Sequence, residues 1–241
     1  NIYDNPEFFG GYARLNRSRF GLQGAPEWPA LSRMLPELKN RRVIDLGCGY
    51  GWFCRYAALQ GAAQITGIDL SEKMLDQARS MTTAGPVRYI RGDLEQLELP
   101  EAACDLVYSS LALHYLQDLK KLLTTLHNAL VPGGHLVFSV EHPIYTAPAS
   151  PGWTTDSQGQ KAWLLNSYQR QGERTTHWII PGVIKQHRTP ATWINCLLEQ
   201  GFTLNHVEEW SPDTHQLAEM PELAEEQERP TLLLVAACRP G

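Results

Sequence analysis

The sequence lacks the features that mark several large classes of protein. No apolar run approaches 18 residues, so a membrane-spanning helix is not expected. Residues 1–4 do not begin the basic-then-apolar pattern of a secretory signal peptide. Basic residues are also few, because 21 lysines and arginines stand against 26 acidic residues and give a net charge of −5. Since nucleic-acid-binding domains usually carry a basic face, we predict neither a membrane nor a nucleic-acid partner.

Cysteine and histidine are present but form no recognisable ligand pattern. The five cysteines follow no C-x-x-C spacing and lie far apart: Cys48, Cys54, Cys104, Cys196 and Cys238. An odd number without a framework favours reduced thiols and a cytoplasmic protein over disulfides or structural zinc. The histidines show no H-x-x-x-H or carboxylate-linked spacing, so we predict no metal site.

The most informative stretch is residues 43–51, which spell Val-Ile-Asp-Leu-Gly-Cys-Gly-Tyr-Gly. Its first four residues are apolar enough for a buried strand, and three glycines then alternate along the chain. Residues 52–60 contain no Gly or Pro, which predicts a helix that ends near Gly61. A strand, a glycine loop and a helix N-terminus commonly bind nucleotide-like ligands, because glycine permits φ > 0 and a close approach of the ligand.

The glycine spacing separates two kinds of ligand. A dinucleotide site needs G-x-G-x-x-G, whereas here the third glycine falls one residue early and Trp52 takes the final position. Asp45 at the strand end is also unlike that fingerprint. The stretch instead resembles the first motif of class I S-adenosylmethionine (AdoMet)-dependent methyltransferases. A nicotinamide dehydrogenase is therefore the less favoured interpretation.

Further patterns extend the resemblance over residues 43–140. Residues 64–68 predict a second strand that ends at Asp69, and Ser71 is placed to cap the next helix. Residues 87–92 predict a third strand followed by Asp93 and Leu94. Residues 130–136 spell Leu-x-Pro-Gly-Gly-x-Leu, another mark of the same family, and lead into a fifth strand.

The alternation of strands and helices predicts an α/β fold with a doubly wound, mostly parallel sheet. The resemblance implies seven strands in a Rossmann-like methyltransferase fold, with the last strand antiparallel between strands five and six. We expect one domain over 1–241, made of a lid segment at 1–42, an AdoMet-binding core at 43–140, a substrate-cap insertion after strand five at 141–189, and the C-terminal part of the sheet at 190–241.

Two local predictions concern the less regular parts of the chain. Within the cap, residues 162–169 and 174–180 are predicted to pair as a hairpin across Gly172. Residues 208–228 are rich in Glu and are predicted to form a solvated surface loop.

The resemblance also implies a set of residues that contact the cofactor AdoMet, with S-adenosylhomocysteine (AdoHcy) as product. Asp69 is expected to accept hydrogen bonds from both ribose hydroxyls. Asp93 is expected to accept a hydrogen bond from the adenine amino group, and Leu94 to pack on the adenine ring. Tyr12 or Arg17 is expected to contact the AdoMet carboxylate. The whole expected set is Tyr12, Arg17, Asp45, Gly47, Cys48, Gly49, Asp69, Leu70, Met74, Asp93, Leu94 and Ser109.

Methyl transfer from a sulfonium is an in-line displacement, which is mainly a positioning task. An oxygen or protonated nitrogen acceptor must also lose a proton. We expect a base at the carboxyl ends of strands five and four, with His142 the first candidate and His114 the second. The candidates for acceptor binding lie in the cap, where Arg188 suits a carboxylate or phosphate: Tyr145, Trp178, His187 and Arg188.

The favoured interpretation is an enzyme that methylates an O, N or C atom of a small molecule. The fourth strand is not followed by the Asn/Asp-Pro-Pro-aromatic motif of amino methyltransferases that act on nucleic-acid bases or glutamine. A non-catalytic AdoMet-binding sensor or partner protein would share the same cofactor motif and is the alternative. Either protein would be a monomer or a homodimer.

Overall fold

The computed structural model describes residues 2–83 and 85–241. Eleven strands lie in this part of the chain: β1 (Arg42–Leu46), β2 (Gln64–Asp69), β3 (Val87–Arg91), β4 (Cys104–Ser110), β5 (Leu130–Glu141), β6 (Trp153–Thr155), β7 (Lys161–Trp163), β8 (Gly172–Trp178), β9 (Ile180–His187), β10 (Thr203–Glu209) and β11 (Leu232–Cys238). Ten α-helices accompany them: α1 (Pro6–Tyr12), α2 (Asn16–Phe20), α3 (Trp28–Arg33), α4 (Trp52–Leu59), α5 (Glu72–Ser80), α6 (Leu119–Ala129), α7 (Pro143–Thr146), α8 (Pro190–Glu199), α9 (Thr214–Glu219) and α10 (Glu225–Glu228).

Seven of the strands form one central sheet in the order β10-β11-β5-β4-β1-β2-β3. The pairs from β5 through β4, β1 and β2 to β3 are parallel. β11 pairs antiparallel with both β5 and β10. The sheet is therefore seven-stranded and mostly parallel, and the predicted antiparallel position of the last strand is confirmed.

Helices cover both faces of this sheet, which explains why its central strands are apolar on both sides. Val43 through Leu46 of β1 are all buried. One face packs on the leucine stripe of α6 and on Trp193 of α8, and the other packs on α3 and on Phe53 of α4. The prediction of a doubly wound sheet is thus confirmed.

Three of the helices begin with a side-chain cap, and the cap at Ser71 was predicted from the sequence. The side chain of Ser71 accepts from Met74 N at the start of α5, and that of Asp118 accepts from Lys121 N at the start of α6. Thr189 caps α8, with proline at the first helical position. These bonds satisfy backbone N–H groups that a helix leaves without an internal partner.

The two predictions for the irregular segments are wrong in part. In the cap, β8 pairs with β9 through a turn at Ile179, whose φ is +64°, and β6 pairs with β7. Residues 164–171 form no strand, and there Arg174 Nη2 donates to the carbonyl oxygens of Ser167 and Arg170. Residues 208–228 are not all loop, since α9 begins with a capping box between Asp213 and Gln216.

No helix among the described residues combines the length and the apolar character needed to cross a bilayer.

Candidate functional site

A cavity of about 310 Å³ opens at the carboxyl ends of β1, β2 and β4. Its glycine end is the part lined by Gly47, Gly49, Asp69, Leu70, Met74, Asp93 and Leu94. Its aromatic end is the part lined by Ile2, Tyr3, Tyr12, Leu15, Arg17, Ser110, Leu111, Ala112, Tyr115, Leu116 and Trp178. A ligand in this cavity would bridge the two ends.

The glycine loop forms the floor of the glycine end. The φ angles of Gly47, Gly49 and Gly51 are +69°, +51° and +70°, a region that L side chains seldom adopt. A Cβ at Gly47 would lie 2.4 Å from the Cβ of Ala112, whereas at Gly49 it would meet only the Tyr12 hydroxyl, at 3.7 Å. The absence of side chains here keeps the floor of the cavity open.

Asp69 at the end of β2 is fixed by the backbone on both of its oxygens. Gly49 N donates to Oδ2 and Ser71 N donates to Oδ1, each at 2.9 Å. Burial raises the pKa of this carboxyl, while these backbone bonds oppose the rise. Because a carboxylate offers about four lone-pair directions, each oxygen can accept a further bond from a ligand.

The remaining residues of the glycine end provide one carboxylate and an apolar surface. Asp93 caps a short 3₁₀ helix, with Oδ1 accepting from Glu95 N at 3.0 Å. Leu70 is 40% exposed, Leu94 is half-buried, and Met74 is buried. A planar ring between these apolar side chains would have a carboxylate at its edge.

A smaller cavity of about 80 Å³ adjoins the glycine loop, and Tyr12, Arg17, Gly47 and Gly49 line both cavities. Three polar atoms of its lining residues are buried and have no hydrogen-bond partner within residues 2–83 and 85–241: Ser18 Oγ, Glu27 Oε2 and Trp52 Nε1. Because buried polar groups are nearly always paired in folded proteins, three unpaired atoms in one cavity indicate a polar ligand there.

The ionisable side chains of Arg17, Glu27 and Asp45 line the smaller cavity. Arg17 Nη2 donates to Glu27 Oε1 at 2.8 Å, and Glu27 is only 1% exposed. Asp45 is buried at the end of β1, where Cys54 Sγ donates to its Oδ2 at 3.3 Å. Burial raises the pKa of Asp45 to about 7. Cys48 also lines this cavity.

The aromatic end is closed by rings from three separate segments. The hydroxyl of Tyr3 donates to that of Tyr115 at 3.0 Å. Trp178 from the cap packs edge-on against Phe8 and Tyr12, at centroid distances of 5.5 and 6.3 Å. Tyr12 and Trp178 were expected in the site. Tyr3 and Tyr115 were not, because nothing in the local sequence indicates that they come together.

The N-terminal segment is hydrogen-bonded to the start of α5, close to Asp69. Ser71 Oγ donates to Asp4 Oδ1 at 2.5 Å, and Lys73 Nζ donates to the carbonyl oxygen of Asp4 at 2.7 Å. Asp4 therefore contacts the start of α5, while its neighbour Tyr3 contacts Tyr115 at the other end of the cavity.

Strand β4 contributes Ser110 to the cavity lining, whereas Ser109 lies outside it. Ser109 is buried, and its Oγ donates to Leu46 O at 2.8 Å. Ser110 Oγ accepts from Arg17 Nη1 at 3.5 Å. Successive side chains point to opposite faces of a strand, so Ser109 and Ser110 cannot both face the cavity. The position of Ser110 as the last residue of β4 was the feature of the sequence that could have identified it.

Both histidines predicted as bases lie outside the lining of the cavity. His142 Nδ1 accepts from Ile144 N at 3.1 Å, so Nε2 carries the proton donated to Glu209 at 2.9 Å. His114 Nδ1 accepts from Glu141 N at 3.4 Å, and its Nε2 is buried without a partner. Burial lowers the pKa of both imidazoles.

Replacing His142 with alanine is expected to lower the free energy of unfolding by about 1 kcal/mol, because the cap of α7 is lost. AdoMet binding should stay intact. Chemical denaturation and calorimetry measure these two quantities. A fall in turnover per folded molecule would support the base role, and unchanged turnover would remove it.

The other cap candidates, apart from Trp178, also lie outside the cavity lining. His187 contacts the Thr146 hydroxyl through Nδ1 and the Tyr168 carbonyl through Nε2. Arg188 Nη2 donates to the carbonyl oxygens of Leu116 and Gln117, at 2.5 and 2.8 Å. Tyr145 belongs to an aromatic box in which three rings surround the buried guanidinium of Arg229: Tyr145, Trp153 and Trp163.

Within residues 2–83 and 85–241, no group of three or more His, Cys, Asp or Glu side chains is arranged to hold a metal ion.

Comparison with known proteins gives matches along the whole chain. Residues 44–138 match a family described as "Methyltransferase domain". An S-adenosylmethionine dependent methyltransferase from Mesorhizobium loti has 53% identity, covers 91% of this chain and 100% of its own, and superposes with a TM-score of 0.89. An uncharacterized protein of Haemophilus influenzae is 36% identical over 98% of this chain and 96% of its own length. The malonyl-[acyl-carrier protein] O-methyltransferase of Erwinia billingiae is 40% identical over 42% of this chain, which is 39% of that protein.

Proposed function

The chain belongs to the class I S-adenosylmethionine-dependent methyltransferase family, and from this premise we propose that it methylates a small-molecule acceptor held at the aromatic end of the 310 Å³ cavity. One observation carries the proposal. A single cavity joins a glycine loop with a fixed carboxylate to an enclosure of aromatic rings, so a cofactor and an apolar acceptor can lie next to each other.

The residues of the two cavities fit AdoMet. We assign the ribose to Asp69 and the adenine to Asp93, Leu94 and Leu70. The amino-acid part would enter the smaller cavity, with its carboxylate on Arg17 and its ammonium near Asp45. This fit is supported by the unpaired polar atoms in that cavity, for which a zwitterionic group offers both donors and acceptors.

When bound, AdoMet supplies a methyl group that its sulfonium has already activated. The protein then has to hold the acceptor atom in line with that methyl group and exclude water. Leu111, Ala112 and Leu116 follow β4 and would form the apolar wall beside the methyl group. Tyr12 and Trp178 would enclose the acceptor. Acceptor placement, rather than bond activation, is therefore the main task of this chain.

Proton linkage at Asp45 gives a direct test of the cofactor assignment. The pKa of Asp45 in the free protein is about 7, so its carboxyl is mostly neutral below that pH. An ammonium nearby favours the charged form and lowers this pKa. We therefore expect AdoHcy affinity to fall by up to about tenfold for each pH unit below 7 and to level off above it.

Calorimetry in buffers of different ionisation enthalpy would measure this linkage as protons released on binding. The variant Asp45→Asn should bind more weakly and with a flat pH profile between 5.5 and 7.5. A wild-type profile that is equally flat would contradict the assignment of Asp45 to the ammonium.

The proposed function is tested by transfer of radiolabelled methyl from AdoMet into a size-fractionated cell extract. We expect the label in the small-molecule fraction. Label in protein or nucleic acid would contradict the substrate class. The absence of label, with AdoHcy binding confirmed by calorimetry, would contradict a small-molecule acceptor in that extract.

A further inference from the structure

We propose that the acceptor is a carboxylate on an apolar body of about ring size, and that the paired hydroxyls of Tyr3 and Tyr115 hold it for methylation to an ester. This inference rests on the proposed function, because it assumes that AdoMet occupies the glycine end. It names the class of nucleophile that the aromatic end would accept.

The polar groups of the aromatic end are arranged to donate hydrogen bonds. Tyr3 donates its hydroxyl proton to Tyr115 at 3.0 Å, so the proton of Tyr115 is left for a ligand. Burial raises the pKa of both phenols, which keeps them protonated at neutral pH. A protonated phenol can donate to a carboxylate but cannot remove a proton from an acceptor.

The cations around the aromatic end disfavour a positively charged acceptor. Among its described lining residues the charged side chain is that of Arg17, a cation, and its partner Glu27 does not line this cavity. Behind the lining, the Lys185 ammonium lies 5.1 Å from the Trp178 ring centroid. An ammonium acceptor would be less well stabilised by Trp178, because this ring already contacts the Lys185 ammonium.

Among the described residues that line the aromatic end, none is a base for an acceptor that must lose a proton. Asp69 and Asp93 line the glycine end, where they are assigned to the ribose and the adenine of AdoMet. Glu141 is outside the lining and accepts from Lys185 Nζ at 2.5 Å. A carboxylic acid, with a pKa near ~4, is already ionised at neutral pH and needs no base. An alcohol, a phenol or an alkylammonium would need one.

The reaction balances without any proton transfer. The carboxylate oxygen attacks the methyl carbon, the O–C bond forms as the C–S bond breaks, and the bonding electron pair goes to sulfur. One anion and one sulfonium cation become a neutral ester and a neutral thioether. The carboxylate and the sulfonium attract each other strongly in an apolar cavity. The neutral products lack this attraction, and its loss favours their release.

Three ring-matched probes test the inference by binding alone: phenylacetate, phenylacetamide and 2-phenylethylamine. Each is measured by equilibrium dialysis on protein saturated with AdoHcy, whose own binding is determined first. We expect phenylacetate to bind at least about tenfold more tightly than the other two. Equal binding, tighter binding of the amine, or no binding of any probe would overturn the inference. Failure of AdoHcy to bind would instead contradict the proposed function.

Isosteric variants assign the effect to the hydroxyl pair. Tyr115→Phe and Tyr3→Phe each remove one hydroxyl and keep the ring. We expect either change to cut the preference for phenylacetate over phenylacetamide to about threefold or less, with AdoHcy affinity within about twofold of wild type. Tyr168→Phe, in the cap and outside the cavity lining, is the matched control and should keep the full preference. Full preference in Tyr115→Phe would overturn the role of the pair.

The chemistry of the labelled product provides an independent readout. A methyl ester releases volatile labelled methanol in mild alkali, whereas methyl ethers and N-methyl groups are stable. We expect the label of the small-molecule fraction to be released by alkali. Label that resists alkali would overturn the carboxylate acceptor while leaving the methyltransferase assignment in place.

Discussion

Replacing Asp69 with alanine is expected to weaken AdoHcy binding by at least about a hundredfold. The two ribose hydroxyls would each lose a bond to a charged oxygen, and such bonds contribute about 1.5 to 3 kcal/mol apiece. The alanine also releases Gly49 N and Ser71 N, which Asp69 now holds at 2.9 Å. Because Gly49 belongs to the glycine loop, the floor of the cavity loses its fixed position together with the ligand contact.

Calorimetry with AdoHcy measures this loss, and Asp76→Ala is the matched control. Asp76 lies on α5, the helix that follows Asp69, but its side chain is 70% exposed and pairs with Arg79. The control should bind AdoHcy as wild type does. An affinity of Asp69→Ala within about threefold of wild type would show that the carboxylate does not hold the ribose.

Replacing Gly47 with alanine is expected to disrupt the glycine loop and the segment packed on it. The φ of +69° strains an L residue by about 1 to 2 kcal/mol. The new Cβ would also lie 2.4 Å from the Ala112 Cβ, so the segment after β4 has to move. Since that segment lines the cavity, we expect AdoHcy affinity to fall at least about tenfold and the melting temperature to fall as well.

Two further variants separate the strain from the collision. Gly133→Ala is the matched control, because its φ is +76° and no atom lies within 4 Å of an added Cβ. It should lower the melting temperature slightly and leave AdoHcy binding unchanged. The double variant Gly47→Ala with Ala112→Gly removes the collision and should recover most of the affinity. No recovery would mean that backbone strain alone explains the loss.

The glycine end could be predicted from the sequence because its parts are local. The loop at 47–51 follows directly on β1, Asp69 is the last residue of β2, and Asp93 comes shortly after β3. In a parallel sheet these strand ends meet at one edge, so spacing along the chain is enough to bring them together. The sequence predicted both the sheet and this group of residues.

The aromatic end could not be predicted in the same way. Tyr3 and Tyr115 are 112 positions apart, and their contact depends on how the first residues cross the cavity. The histidines show a second limit of sequence reasoning, because a position near the end of a strand does not give the direction of a side chain. His142 follows β5 as predicted, yet its ring contacts Glu209 and the backbone of α7.

The position of β11 has a consequence for synthesis on the ribosome. Residues 232–238 are hydrogen-bonded to β5 on one side and to β10 on the other, so they fill a gap inside the sheet. Until the ribosome has released residues 232–238, β5 and β10 each have an unpaired edge. The edge of β5 lies next to apolar residues such as Val137 and Val140. The domain can therefore close only after translation has passed Cys238, and a chain that stalls earlier becomes a substrate for chaperones.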